Sequence, residues 1–457
     1  MQQENTRWTV SRRFAISLLL VSVAISAWGR TRPHYGGTLR VETAGEAWRR
    51  PDGLARRLVY DGLTQLDAGG AVRPALALTW EEDNNFHRWQ FRLRPGVHFH
   101  DGSSLTSTSV VASLTASCNA SCPWSAVKAV GPLVVFTSES PMPNLPALLA
   151  SGDLLISLTT TADGKTAAGG IGTGPYQVTG FNNGVLALTA NENSWSGRPF
   201  ADAVEIRVHR PVRDQWLDLG LGRTDVVEVP AEQMRQAQQQ HLTLLVSPPV
   251  MLLALQIYDA GPLTNAKLRG AIAAAVDRSA LFNVIFQKEG VVTASLLPQR
   301  ISGYSFLFPT DRDLNRAHEL RGGLTTEPLT LSTEGDGAMQ LAAQRIALNL
   351  HEAGFNVQVT NTPGQRSDLV LRKLPMAGVD PAAVLEQLLW AAGYTAPVIA
   401  QNPAALYKAE QTTFEDKKMI PLLDLPRAYA SGPRVRDLRL RADGTPDLAD
   451  ASLEDAR

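Results

Sequence analysis

Helical and strand periodicities alternate along this 457-residue chain, and the alternation predicts a mixed α/β fold. Two further observations predict several domains. The length is worth roughly three domains at about 150 residues each. Two stretches also interrupt the pattern: a small-residue, Gly-rich run at 159–175 and the triplet Ser247-Pro248-Pro249. Composition agrees with a folded chain, since 44% of the residues are hydrophobic and only 19% are charged. Lys+Arg of 43 against Asp+Glu of 44 leaves a net charge of −1, so there is no basic footprint for nucleic acid and no acidic tail. Two cysteines exclude a disulfide scaffold and any four-cysteine zinc or iron–sulfur site. The one long apolar run is N-terminal, which excludes a multi-span membrane protein.

Residues 1–29 are expected to be an export signal rather than part of the fold. Arg7, Arg12 and Arg13 form a positive leading region, and Phe14 to Trp28 then runs 15 residues without a charge. That run is short for a membrane span, which needs about 20 residues. Ala27-Trp28-Gly29 offers small residues for cleavage after Gly29, and no cysteine is nearby to carry a lipid. An uncleaved membrane anchor is the alternative. Removing 1–29 takes away three arginines and one glutamate, so the net charge moves from −1 to −3. In an oxidising compartment Cys118 and Cys122 are candidates for a local disulfide, with two free buried thiols as the alternative.

Along the mature chain, Thr38-Leu39-Arg40-Val41 alternates as a strand. Asp52 is placed to cap a helix carrying Leu54, Leu58, Leu63 and Leu66. Trp89 to Leu93 alternates as a half-buried strand, Arg94-Pro95-Gly96 turns, and Val97 to His100 starts another strand. Val185 to Thr189 and Val204 to Val208 are further strands. Leu268, Ile272 and Val276 mark a helix, and Ser279 is placed to cap the next. Met339, Ala342, Ala343, Ile346, Ala347 and Leu350 follow helical spacing up to Gly354, and Phe355, Val357 and Val359 alternate after it. Asp380-Pro381 and Asn402-Pro403 each supply an N-cap followed by proline at the first helical position. Residues 441–457 are polar and are expected to fray.

Several stretches together resemble the extracellular solute-binding proteins of the peptide/nickel class, the receptors of ABC importers (family 5). They are Tyr35-Gly36-Gly37-Thr38-Leu39-Arg40, Val59-Tyr60-Asp61-Gly62-Leu63, Pro74-Ala75-Leu76-Ala77 with Trp80, and the long run from Trp89 to Gly102. Gly172-Thr173-Gly174-Pro175-Tyr176 follows, and then Leu268 to Ile272 with Ala275 to Arg278. The resemblance implies a two-lobed periplasmic-binding-protein fold of α/β class. A ligand cleft lies between the lobes, which a hinge joins, and this class carries an extra domain. The implied boundaries are 30–45, 166–245 and 426–445 for lobe I, 46–165 for the extra domain, 246–425 for lobe II and 446–457 for a polar tail.

The departures from that family bear on the ligand. Peptide-binding relatives hold the α-amino group with an aspartate in a Trp-x-x-Asp-Tyr segment before an acidic-Pro pair. Aligned on Asp380-Pro381, the Trp position is Leu374 and the Asp position is Ala377. A buried ammonium lacking a carboxylate would cost several kcal/mol, roughly 3–5 where a pair is broken. Arg372 and Lys373 follow an intact strand and either could meet an anionic ligand, or simply face solvent. The loop after the first strand is also altered, and Glu46, Trp48 and Arg49 there offer charge and an aromatic wall. Trp48 capping a domain interface is the alternative. Gln256 and Tyr258 end a strand where relatives line the cleft from the second lobe.

Other chemistry is weaker. His98 and His100 share a strand face, but they fall inside the family's turn motif, and the remaining histidines have no ligand spacing. Gly169 to Gly174 lacks the Lys-Ser/Thr of a phosphate loop. Ser125 and Lys128 match a Ser-x-x-Lys nucleophile pair, the one hydrolase alternative. The expectation is therefore a non-enzymatic, monomeric receptor in the periplasm or outside the cell, with no cofactor and no metal. Its partners would be a peptide-like or other polar small molecule and an importer permease. A relative that acts as a sensor or structural partner is the second reading, favoured by Leu374 and Ala377.

Overall fold

The computed structural model describes residues 34–45, 53–117, 122, 124–150, 152–158, 170–258, 260–303, 309–324, 327–333, 337–360, 367–391 and 402–454. The segment 1–29, the loop bearing Glu46, Trp48 and Arg49, and Cys118 lie outside the described residues. Among the described residues no helix is long and apolar enough to cross a membrane.

Two long strands, Thr243–Ile257 and Met419–Ser431, run antiparallel through the middle of an eleven-stranded sheet. On one side of this pair lie Val226–Val229, Thr38–Glu42, Ala203–Arg207, Val185–Ala190 and Tyr176–Asn182. On the other lie Leu369–Pro375, Leu329–Thr333 and Val357–Thr360, and Val291–Val292 pairs with Met419–Ser431 off this path. The central ladder is broken. Its register shifts between Val246 and Pro249 and again between Pro249 and Met251. Proline has no amide hydrogen to give a ladder, so Pro248-Pro249 forces that break. Each long strand therefore serves two separate halves, Thr243–Val246 with Ala428–Ser431 and Met251–Gln256 with Met419–Leu425.

Each half has its own buried cluster. Leu39, Val41, Tyr176, Leu188 and Ile206 pack in the first. Leu252, Leu374, Leu385 and Leu388 pack on one face of the second half. On its other face Leu253, Leu255, Ile272, Ile346 and Leu371 belong to a cluster that reaches back to Val227 of the first half. A separate antiparallel sheet holds Ala77–Glu82, Arg88–Leu93, Leu133–Thr137 and Ala126–Val130 with the helix Ser107–Ser117. Phe91 and Phe136 meet edge to face there with centroids 5.4 Å apart, inside the roughly 4.5–7 Å range of aromatic pairs. The helix Pro381–Ala391 of the second half reaches this unit. Trp390 packs on its core, Asn144 donates to Glu386 at 3.0 Å, and Gln387 donates to the Ala147 carbonyl at 3.0 Å.

Local signals set many elements. Asp380 and Asn402 accept from the backbone of Ala383 and Ala405 at 3.0 and 2.9 Å, starting the helices Pro381–Ala391 and Pro403–Glu415. Three expectations are corrected. The leucines of 54–66 do not share one helix: Arg56–Val59 is a single turn and Thr64–Leu66 is a strand. Between them Asp61 leaves helical geometry because its carboxylate accepts from Thr173 Oγ1 and Trp195 Nε1, both at 2.8 Å. Val97 to His100 is a turn with one bridge from His98 to Ser104, flanked by Gly96 and Gly102 at φ of 72° and 84°. Asp277, not Ser279, caps the helix that follows, accepting from Ala280 N at 2.8 Å.

The C-terminal segment is a fourth correction. Residues 446–454 are no frayed polar tail, because Leu448, Ala451 and Leu453 are buried in the first-half cluster. Ser452–Leu453 pairs with Val435–Arg436.

Asp61 ties this first half to the segment 170–174 and to Trp195, over whose ring Arg94 stacks at 4.7 Å. Asp61→Ala is expected to cost roughly 1–3 kcal/mol, because it leaves two partly buried donors without their acceptor. Urea unfolding measures it, and an unchanged midpoint would show that the carboxylate is dispensable.

Candidate functional site

The break in the central ladder opens a cleft. Ser247 Oγ accepts from Arg427 N at 2.9 Å and donates to the Pro248 carbonyl at 2.6 Å, replacing ladder bonds the prolines cannot make. The Pro249 carbonyl is taken by Arg300, whose Nη2 donates at 2.9 Å. The cleft beside this junction measures about 510 Å³. One wall is Leu244–Pro248 with Leu438–Ala442, a second is Arg300 with Gly378 and Val379, and the turn Ala68–Gly70 closes one end. A Cβ on Gly70 would stand 3.0 Å from the Gly378 carbonyl carbon, so two glycine backbones touch at that end. Apolar side chains make most of the lining, and the charged groups on it are Arg300, Arg439 and Arg441. Arg441 donates to Asp447 at 2.8 Å.

The first strand delivers a second feature to the cleft side of the sheet. Parallel strands Thr38–Glu42, Ala203–Arg207 and Val226–Val229 all end there. Glu42 is fully buried, 3.4 Å from Arg207 and 3.6 Å from Arg210. Burial raises its pKa and the charge of Arg210 works against that rise. Thr43 Oγ1 donates to Glu228 at 3.1 Å, fixing the start of the loop that carries Glu46, Trp48 and Arg49.

The second-lobe residues expected on the cleft wall stand elsewhere. Arg372 Nη1 donates to Gln256 Oε1 at 3.0 Å, so the structure brings these two together. The strand Thr243–Ile257 crosses the junction, however, and its far end carries Gln256 roughly 20 Å from Pro249 at ~3.3 Å per residue. Tyr258 is farther still, with its amide on the Asp368 carbonyl at 2.9 Å. None of the three lines the cleft. Leu374 is core, 3% exposed and packed with Leu252 and Leu385. Ala377 immediately precedes the wall residue Gly378. Arg300, Arg439 and the turn Ala68–Gly70 carry no sequence motif, and only their meeting in space marks them.

The other candidates have local roles. His100 Nε2 donates to the Gly174 carbonyl at 3.0 Å and its Nδ1 accepts from Gly172 N at 3.4 Å, which clasps the segment 170–174. Burial lowers the pKa of this ring. Ser125 directly precedes the strand Ala126–Val130, in which Lys128 lies. Three residues along extended chain point to opposite faces, so the pair lacks the one-face geometry that helical spacing would give. Cys122 is disulfide-bonded.

The sequence profile of the bacterial extracellular solute-binding proteins, family 5 (middle region), matches residues 71–392. The chain belongs to this family. It is 24% identical over 348 residues to the probable di/tripeptide-binding protein 5 of Pseudomonas aeruginosa, 66% of each chain. The next two curated relatives are matched over 42% and 30% of their lengths, so the chain spans under two thirds of the curated relatives it matches. Among solved structures, AgaA of A. tumefaciens R10 in complex with agropinic acid superposes with a TM-score of 0.80 at 19% identity, covering 92% of this chain and 99% of that one. DppA of Helicobacter pylori in complex with the peptide STSA gives 0.78 at 18% identity, over 92% and 99%. These likenesses show that the chain has the two-lobed periplasmic-binding-protein fold.

Proposed function

We propose that this chain is an exported receptor that captures a small solute, peptide-like or another polar organic molecule, and delivers it to the permease of an ABC importer. The observation that carries the reading is the 510 Å³ cleft beside the broken ladder, with walls from both halves of the sheet. A ligand touching both walls stabilises the closed arrangement, and a permease then distinguishes loaded from empty receptor by shape. The chemistry is non-covalent and turns nothing over. The proposed division is 1–29 signal peptide, lobe I from 30–45, 166–245 and 426–445, an extra domain at 46–165 and lobe II at 246–425. The register breaks at Val246–Met251 support placing the hinge at the lobe boundary. The proposed location is the periplasm or the cell exterior, as a monomer.

Native mass spectrometry of the exported protein as purified tests this, set against its denatured mass. A passenger that is lost on denaturation is the expected result. A bare mass, together with no thermal stabilisation by any small solute in a metabolite panel, would sink the receptor reading.

A further inference from the structure

Among the described residues three arginines line the cleft and no Asp or Glu does. Their charges are not equally available. Arg441 is engaged with Asp447 at 2.8 Å. Arg300 gives two donors to the neutral Pro249 carbonyl. The carboxyl facing it, Asp424, is buried and pushed up to about 8, so it carries a proton at neutral pH and leaves Arg300 without a counter-charge. Arg439 is exposed and makes no salt bridge among the described residues, and its charge also reaches Asp450.

The two available guanidinium groups come from opposite walls. Arg300 sits in the turn Gln299–Ser302, whose Ile301 packs in the second-half cluster with Leu297 and Leu374. Arg439 lies between Leu438 and Leu440, which pack on the first-half cluster. The wall residues Gly378 and Val379 follow Ala377, and among the described residues no Asp or Glu lines this wall.

We propose that the ligand is a small organic anion, bearing a carboxylate or a phosphate, clamped between Arg300 on one wall and Arg439 on the other. This rests on the receptor reading and names its ligand class. Guanidinium groups bind either oxyanion through charge-assisted hydrogen bonds. An anion spanning the two walls also gives the closed arrangement a contact that the open one lacks. Along the described lining a ligand ammonium would meet arginine and apolar surface, with no carboxylate to offset its desolvation.

Thermal unfolding and calorimetric titration of the mature protein test this with citrate and glutarate as carboxylates and glucose 6-phosphate as a phosphate. Trialanine and glucose are the uncharged-overall comparisons. The expected result is stabilisation by a member of one anion group, affinity that falls with added salt, and at least a roughly tenfold loss in Arg439→Gln. Arg439 is exposed, so that variant keeps its fold, and Arg300→Lys gives a second reading from the other wall. Which group stabilises separates carboxylate from phosphate. Stronger stabilisation by trialanine or glucose, or anion binding untouched by Arg439→Gln, overturns the proposal. So does a panel without any shift. A neutral or cationic passenger in the native mass would overturn the anion alone and leave the receptor standing, whereas a bare mass with a silent panel would tell against both.

Discussion

Gly172→Ala is expected to prevent stable folding, or to lower the melting temperature by more than a methyl added at the other described glycines whose surroundings are open. A Cβ at this position would stand 1.9 Å from the Val59 carbonyl oxygen and 2.7 Å from the Tyr60 ring. The carbonyl obstacle and the glycine are both held: Val59 O accepts from Gly174 N at 3.0 Å, and the Gly172 carbonyl accepts from His100 N at 2.9 Å. Relief would require separating the segment 170–174 from the turn Arg56–Val59 and breaking the His100 clasp with it. Overpacking of yielding side chains costs roughly 1–3 kcal/mol, and a collision with fixed backbone exceeds that. Gly220→Ala is the matched control, since a Cβ there meets nothing within 4 Å and should be neutral or slightly stabilising at a helix end. Equal melting temperatures for the two variants would refute the packing argument. The same contacts explain why the glycines of 169–174 are not a phosphate loop: at Gly172 and Gly174 they let one backbone lie against another.

What was legible in the sequence is what short-range chemistry decides. Asp380-Pro381 and Asn402-Pro403 start helices because an acceptor side chain and a proline suffice, whatever surrounds them. The strand at Trp89–Leu93 follows from alternation, and the interruption at Ser247-Pro248-Pro249 from missing amide hydrogens. The leucines of 54–66 satisfied a helical period equally well and lost it to a tertiary demand, the pairing of Asp61 with Thr173 and Trp195 more than 100 positions away. Residues 446–454 read as a polar end because the apolar members, Leu448, Ala451 and Leu453, are few and widely spaced.

The cleft was far less legible than the fold. Its walls join 68–70, 244–250, 300, 378–379 and 438–442, five stretches that no periodicity links. The family resemblance directed attention to strand ends; Gln256 and Tyr258 stand at the strand end far from the junction, and Arg372 in the middle of the neighbouring strand Leu369–Pro375. Direction along a strand is invisible in a hydrophobic pattern of period two, whereas the prolines that mark the junction are visible. The departure at Leu374 and Ala377 was legible as a loss. That three arginines stand around the cleft required coordinates.

Asp424→Asn is expected to stabilise the protein at pH 8 and to do little at pH 5. Asp424 is 3% exposed, between Leu252 and Val291 on neighbouring strands, and its Oδ1 accepts no hydrogen bond. The charged groups facing it are Arg300, which favours its ionised form, and Glu410, which opposes it. Burial dominates and pushes the carboxyl from its ordinary 3.8 up to about 8. In the unfolded chain the group ionises near 3.8, so between that pH and about 8 the unfolded state has released a proton that the folded state keeps. Stability contributed by the neutral carboxyl is thus complete below the lower value and is lost as pH rises toward the upper one, by up to about 1.4 kcal/mol per pH unit. Above it the loss is constant. An amide of the same shape removes the ionisation of the unfolded state and hence the penalty, at the cost of burying an NH₂ group whose partner must be found. The difference in unfolding midpoint between variant and wild type should therefore grow from pH 5 to pH 8. Because Glu410 also lies in this cluster, fully buried and accepting from Leu297 N at 2.7 Å, the double variant with Glu410→Gln should give less than the sum of the two single effects. A variant equally destabilised at both pH values would mean that Asp424 is charged and paired in the folded protein, and the unbalanced charge assigned to Arg300 would fall with it.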